Sequence, residues 1–110
     1  LVMIIKITEQ DIEAGKRNDC EKCPIALALN RAFENPKGFT ISVCEDFVEL
    51  FAVGDSEGNL YFNLPANAQE FVFDFDNMEE NEKPEPFSFR LDKNTVNYLT
   101  KNGIKITATE

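Results

Sequence analysis

Pro65-Ala66-Asn67-Ala68-Gln69-Glu70-Phe71-Val72-Phe73-Asp74-Phe75-Asp76-Asn77-Met78 admits two secondary structures, and the choice between them decides the fold. Phe71, Phe73 and Phe75 alternate with Val72, Asp74 and Asp76, the period of a half-buried strand. Ala68, Phe71, Val72, Phe75 and Met78 also share one helical stripe. The entry tips the balance, because Pro65 stands early and Glu70 places an acid in the first turns. The reading adopted is a helix over residues 66–78.

Strands lie on both sides of this segment. Upstream, Phe39, Ile41 and Val43 alternate with Thr40, Ser42 and Cys44. Residues 48–53 and 59–64 flank Gly54-Asp55-Ser56-Glu57-Gly58, the pattern of a hairpin with a longer loop. Downstream, residues 79–85 form a polar loop, and Pro84 and Pro86 bracket the entry to a strand over 87–91. Asp92 caps a short helix carrying Val96 and Leu99, closed by Asn102-Gly103, and a last strand covers 104–109.

Toward the start, residues 2–7 are β-branched and apolar on both alternations, which predicts a strand covered on both faces. Thr8 and Asp11 form a capping box for a short helix that Gly15 ends in a left-handed conformation. Pro24 opens the clearest helix. Its stripe is Ile25, Ala28, Leu29, Ala32 and Phe33, and Asn35-Pro36-Lys37-Gly38 stops it. The whole is an α+β pattern over residues 1–110: one small domain, a mostly antiparallel sheet with two or three short helices packed on it.

Composition narrows the function. At 110 residues there is room for one core, and 43% hydrophobic against 28% charged residues is the make-up of a folded chain. Eleven Lys and Arg face 20 Asp and Glu, a formal charge of −9. That argues against a basic nucleic-acid surface and against docking on anionic membranes. No apolar run has the length of a membrane span, and Leu1-Val2-Met3-Ile4-Ile5 is too short for a secretion signal. With no His, Ser-His, Cys-His and His-ligated metal chemistry are excluded within the chain. Three cysteines are too few for a secreted disulfide framework, so a reducing cytoplasm is the expected compartment.

Two features carry candidate chemistry. Asp19-Cys20-Glu21-Lys22-Cys23-Pro24 holds a Cys-x-x-Cys, which serves either as a redox dithiol or as half of a zinc site. Cys23 at the start of a helix would have its thiolate favoured by the dipole and free amides. Pro24 begins the helix only after both thiols, unlike the thioredoxin arrangement. A zinc site would draw on Cys20, Cys23 and Cys44, with a carboxylate or a second subunit completing it. The plainer alternative is that Cys23 caps the helix and Cys20 packs as a small apolar side chain.

The second feature is charge. From Phe39 to Glu82 there are eleven Asp and Glu and no Lys or Arg. Such a stretch can dock on a basic protein surface, or simply keep the chain soluble. The spacing of Asp74, Asp76, Glu79, Glu80 and Glu82 invites comparison with a calcium loop. Met78 stands where an oxygen ligand is needed, and Glu79 where the turn wants Gly. No carboxylate pair is marked as hydrolytic, and no Gly-rich phosphate loop is present.

Residues 7–15 with Asp19-Cys20-Glu21-Lys22-Cys23-Pro24-Ile25-Ala26-Leu27-Ala28-Leu29 resemble small uncharacterised proteins of phages, prophages and some bacteria. In these a D-C-x-x-C-P-[IV]-A-x-A-L segment recurs near the N-terminus. Leu64-Pro65, Phe75-Asp76 and Pro86-Phe87-Ser88-Phe89-Arg90-Leu91 match their later features, and the likeness runs through residue 92. It implies a single α+β domain with a helix over 66–78, and it transfers no activity and no site residue.

The expected function is a non-enzymatic cytoplasmic interaction protein of phage or mobile-element type. It would dock Glu45, Asp46, Glu49, Asp74, Asp76, Glu79 and Glu80 on a basic surface of another protein, such as a nucleic-acid-binding one. Neither direct nucleic-acid binding nor membrane binding is expected, and no cofactor. An exposed edge strand leaves a homodimer open. The alternative is a thiol-redox or zinc protein using Cys20, Cys23 and Cys44.

Overall fold

The computed structural model describes residues 3–36, 38–52, 55–79 and 81–107, with the side chains of 55–57 outside the description. Among these residues the chain forms β1 (Met3–Ile7), α1 (Glu9–Ala14), α2 (Pro24–Ala32), β2 (Phe33–Glu34), β3 (Thr40–Val43), β4 (Phe47–Ala52), β5 (Asp55–Asn63), α3 (Ala66–Asn77), β6 (Phe87–Leu91), α4 (Lys93–Lys101) and β7 (Lys105–Ile106). The class is α+β, as the alternation implied. Four described helices are present where two or three were expected to pack on the sheet. The single sheet is instead three antiparallel ladders, β1–β6, β2–β7 and β3–β4–β5.

Local chemistry accounts for the helix starts. Thr8 Oγ1 accepts from the Asp11 amide while the Asp11 carboxylate accepts from the Thr8 amide, the reciprocal box that satisfies two free donors. Asp92 caps α4 with its side chain, Oδ1 accepting from the Thr95 amide. Gly103, at φ 93°, ends α4: Ile104 N–H reaches Leu99 O and Gly103 N–H reaches Thr100 O, the paired bonds of a Schellman closure.

α2 is the central helix. Ile25, Ala26, Ala28, Leu29 and Ala32 are buried, and the small alanines let it pack against β1, β2 and β3. It ends at Ala32, earlier than the Pro36 signal, because Phe33 leaves the helix to pair with Ile106 in β7. Arg31 on its last turn donates to both Asp11 carboxylate oxygens, at 2.6 and 2.9 Å, and to Lys6 O. This joins β1, α1 and α2. Burial alone would raise the Asp11 pKa, yet the Arg31 guanidinium and the Thr8 bonds outweigh it and hold the carboxyl below its ordinary value.

Three further expectations are corrected. β1 buries Ile5 and Ile7 but exposes Lys6, because its one partner strand and α2 leave the other face open. Gly15 is not left-handed: at φ −69° and ψ 151° any residue would fit, and the need is steric. A Cβ there would stand 2.6 Å from the Pro24 ring and 2.8 Å from Asp11 O. The β4–β5 loop is shorter than expected, because β5 begins at Asp55, opposite Ala52, after a register shift beyond Leu50. Val53 and Gly54 of that loop, Val2 of the first strand and residues 108–109 of the last lie outside the described residues.

The ambiguous segment is a helix. Ala68, Phe71 and Phe75 of α3 face the core, and the Phe71 ring stacks on Phe87 of β6 at 4.6 Å. Phe73, the residue that a strand reading would have placed with them, is 63% exposed. Buried side chains from all three ladders and all four helices form one cluster.

Candidate functional site

A loop, a hairpin tip and a helix face meet around one cavity of about 250 Å³. The loop is residues 18–23. Asn18 takes a left-handed φ of 57°, which asparagine tolerates, and its amide donates to Asp76 Oδ1 at 3.0 Å. Asp19 Oδ1 accepts from the amides of Glu21 and Lys22, and Lys16 N–H closes the loop on Lys22 O. Cys23 is the N-cap of α2, its Sγ accepting from Ala26 N–H at 3.4 Å.

The hairpin tip follows β3. Cys44 N–H reaches Phe47 O, so Glu45 and Asp46 form a two-residue turn. Val43 N–H donates to Cys20 O at 2.8 Å, which lays the end of β3 alongside the loop. From α3, Val72 and Asp76, one turn apart, complete the wall. Asn18, Asp19, Cys20, Cys23, Val43, Cys44, Glu45, Val72 and Asp76 therefore line one space.

All three cysteines are brought together here, and all are free thiols. Cys20 is exposed, Cys44 is half-buried, and Cys20 lies close enough to Cys44 to act on its thiol. Burial pushes the Cys23 thiol up to about 11; the Ala26 and Ile25 amides pull the other way, and the Asp76 and Cys20 charges add to the rise. The expected help from the helix end is outweighed by desolvation. Cys44 is also raised, first by burial and then by Cys20 and Glu49. Among the described residues no three Cys, Asp or Glu side chains stand in a group that could hold a metal ion. Around Cys20, Cys23 and Cys44, the set expected for zinc, a metal would have to draw the ligands together.

The expected acidic residues divide. Glu45 and Asp76 line the cavity, Asp46 stands beside Glu45 at the hairpin tip, and Glu49 lies close enough to Cys44 to act on its thiol. Glu49 is half-buried and accepts from Asn59 Nδ2 and Tyr61 OH. Asp74, two residues from Asp76, is on the opposite, exposed side of α3. Glu79 is exposed beyond the helix end, and Glu80 lies outside the described residues. Neither described ion pair, Arg31–Asp11 or Lys83–Glu13, involves any of these acids.

Sequence reasoning missed Asp19 as part of this acidic group, although it adjoins Cys20 in the motif. It also missed Arg17. The Arg17 guanidinium donates to Phe75 O, Glu79 O and Glu82 O and sits 5.2 Å over the Phe75 ring. The acidic stretch without bases in sequence thus has the Arg17 guanidinium against it in space. No described helix is long and apolar enough to cross a membrane. Comparison with protein-family models, with curated proteins and with solved structures found no match for the chain.

Proposed function

We propose that the protein is a non-enzymatic interaction module that docks an acidic edge on a basic surface of another protein. The observation that carries this reading is the meeting of Glu45 and Asp76 at one cavity rim. Asp19 and Asp46 stand beside them, and none is ion-paired to a described Lys or Arg. Unpaired carboxylates from separate elements give a concentrated negative field, which steers a basic partner and sets specificity. Asp74, on the far side of α3, and Glu79 belong to the periphery of such a contact. The likeness to phage-type proteins supports an intracellular host target, and a nucleic-acid-binding protein is the kind whose basic surface fits.

The test is charge reversal with an internal control. Wild-type protein, the triple variant Glu45→Lys/Asp46→Lys/Asp76→Lys and the single variant Asp74→Lys are used as bait, and the captured partner is purified and titrated. The triple variant should lose about tenfold or more in affinity and most of the dependence on ionic strength, while Asp74→Lys keeps both. Equal affinity and equal salt dependence for all three proteins would sink the reading.

A further inference from the structure

We propose that Cys20 and Cys44 form a reversible disulfide by exchange with a small-molecule disulfide such as oxidised glutathione, with Cys23 held out of the exchange. This does not rest on the docking reading. The sequence motif sets Cys20 near Cys23, and the fold also brings it beside Cys44, twenty-four positions away at the end of β3.

Three observations carry the assignment. Cys20 and Cys44 line the same cavity, and Cys20 is close enough to act on the Cys44 thiol. The Val43 N–H to Cys20 O bond sets the two backbones side by side, so bridging calls for side-chain rotation more than chain movement. Cys23, by contrast, is 8% exposed and holds the Ala26 amide as the cap of α2. Turning it toward Cys20 would strip that cap from a helix start already fixed by Pro24.

Cys20 is exposed, so it is the thiol that a dissolved disulfide meets first. Its thiolate attacks one sulfur of the oxidised glutathione, the glutathione S–S bond breaks, and one glutathione thiolate leaves. The Cys44 thiolate then attacks Cys20 Sγ in the mixed disulfide and expels the second glutathione thiolate. The two protons given up by Cys20 and Cys44 go to the two glutathione thiolates. Two protein thiols are oxidised and one small disulfide is reduced. Burial and the neighbouring Cys20 and Glu49 disfavour the Cys44 thiolate, so the closing step is slow at neutral pH and quickens as pH rises.

The experiment treats the intact protein with oxidised glutathione, blocks free thiols under denaturing conditions, and reads intact mass and peptide map. The expected product has lost two hydrogens, carries one blocked thiol at Cys23, yields a linked Cys20–Cys44 peptide, and reverts with dithiothreitol. Cys23→Ser, which keeps a good helix cap, should form the same bridge. Cys44→Ser should stop at a mixed disulfide on Cys20. A Cys20–Cys23 bridge, a bridge between two chains, or three thiols still free after prolonged treatment at alkaline pH would each overturn the assignment.

Discussion

Gly15 is required for space and not for backbone freedom, and that difference can be measured. Gly15→Ala should cost about 2 kcal/mol in urea unfolding, because the new methyl meets the Pro24 ring at 2.6 Å. In a Pro24→Ala background the cost should shrink, since two of the three close atoms are gone; additive losses would show that the clash is elsewhere. Cys23 supplies a second residue-scale expectation. The unfolded thiol ionises near 9 and the folded one near 11, so its contribution is complete below pH 9 and declines from 9 to 11. The loss should reach about 3 kcal/mol at the upper end. Comparing wild type with Cys23→Ser across that range isolates it from the lysines and tyrosines, and parallel curves would refute it. At this scale the sequence was highly legible where a side chain bonds its own neighbourhood: Thr8, Asp11, Asp92 and Gly103 all act as their local patterns imply. Gly15 was misread because its constraint comes from a residue nine positions on.

At the scale of elements, α3 was the hard case. Its phenylalanines satisfy two periods, and only packing chooses: Phe71 and Phe75 find Phe87, while Phe73 is left to water. Arg17 then finishes the helix from outside. α3 has no basic residue in its last turn, and the Arg17 guanidinium takes the Phe75, Glu79 and Glu82 carbonyls in its place. Arg17→Ala should cost about 1–2 kcal/mol and speed hydrogen exchange at the Glu79 and Glu82 amides. Arg17→Lys should recover little, because a single ammonium cannot reproduce the fork and the ring contact. Full recovery by lysine would mean that charge alone matters. An arginine in a polar loop gives no sequence signal of such a role, since its partners are main-chain atoms some sixty positions away.

For the whole molecule, class was legible and assembly was not. Alternation of strand and helix patterns gave α+β, yet nothing in a linear pattern tells whether the seven described strands make one sheet or three. The candidate site was half legible. Cys20, Cys23 and Cys44 were all marked by their chemistry, and Glu45, Asp46 and Asp76 by their charge. Their convergence depends on the Val43–Cys20 and Asn18–Asp76 bonds, which are long-range. Asp74 and Glu79 were grouped with Asp76 by sequence proximity, but helical geometry turns Asp74 to the other side and Glu79 lies past the helix end.

The ladder order also sets a timetable for synthesis. β3, β4 and β5 are consecutive and can pair as soon as residue 63 has left the ribosome. β1 must wait for β6, and β2 for β7, with Thr107 N–H reaching back to Ala32 O. Until those late segments emerge, the edge of β1 and the end of α2 are open to any passing strand, so the growing chain depends on the early meander for protection. Ribosome-bound chains that hold residue 107 inside the exit tunnel, and chains that carry it outside on an added C-terminal linker, should therefore differ sharply in protease resistance.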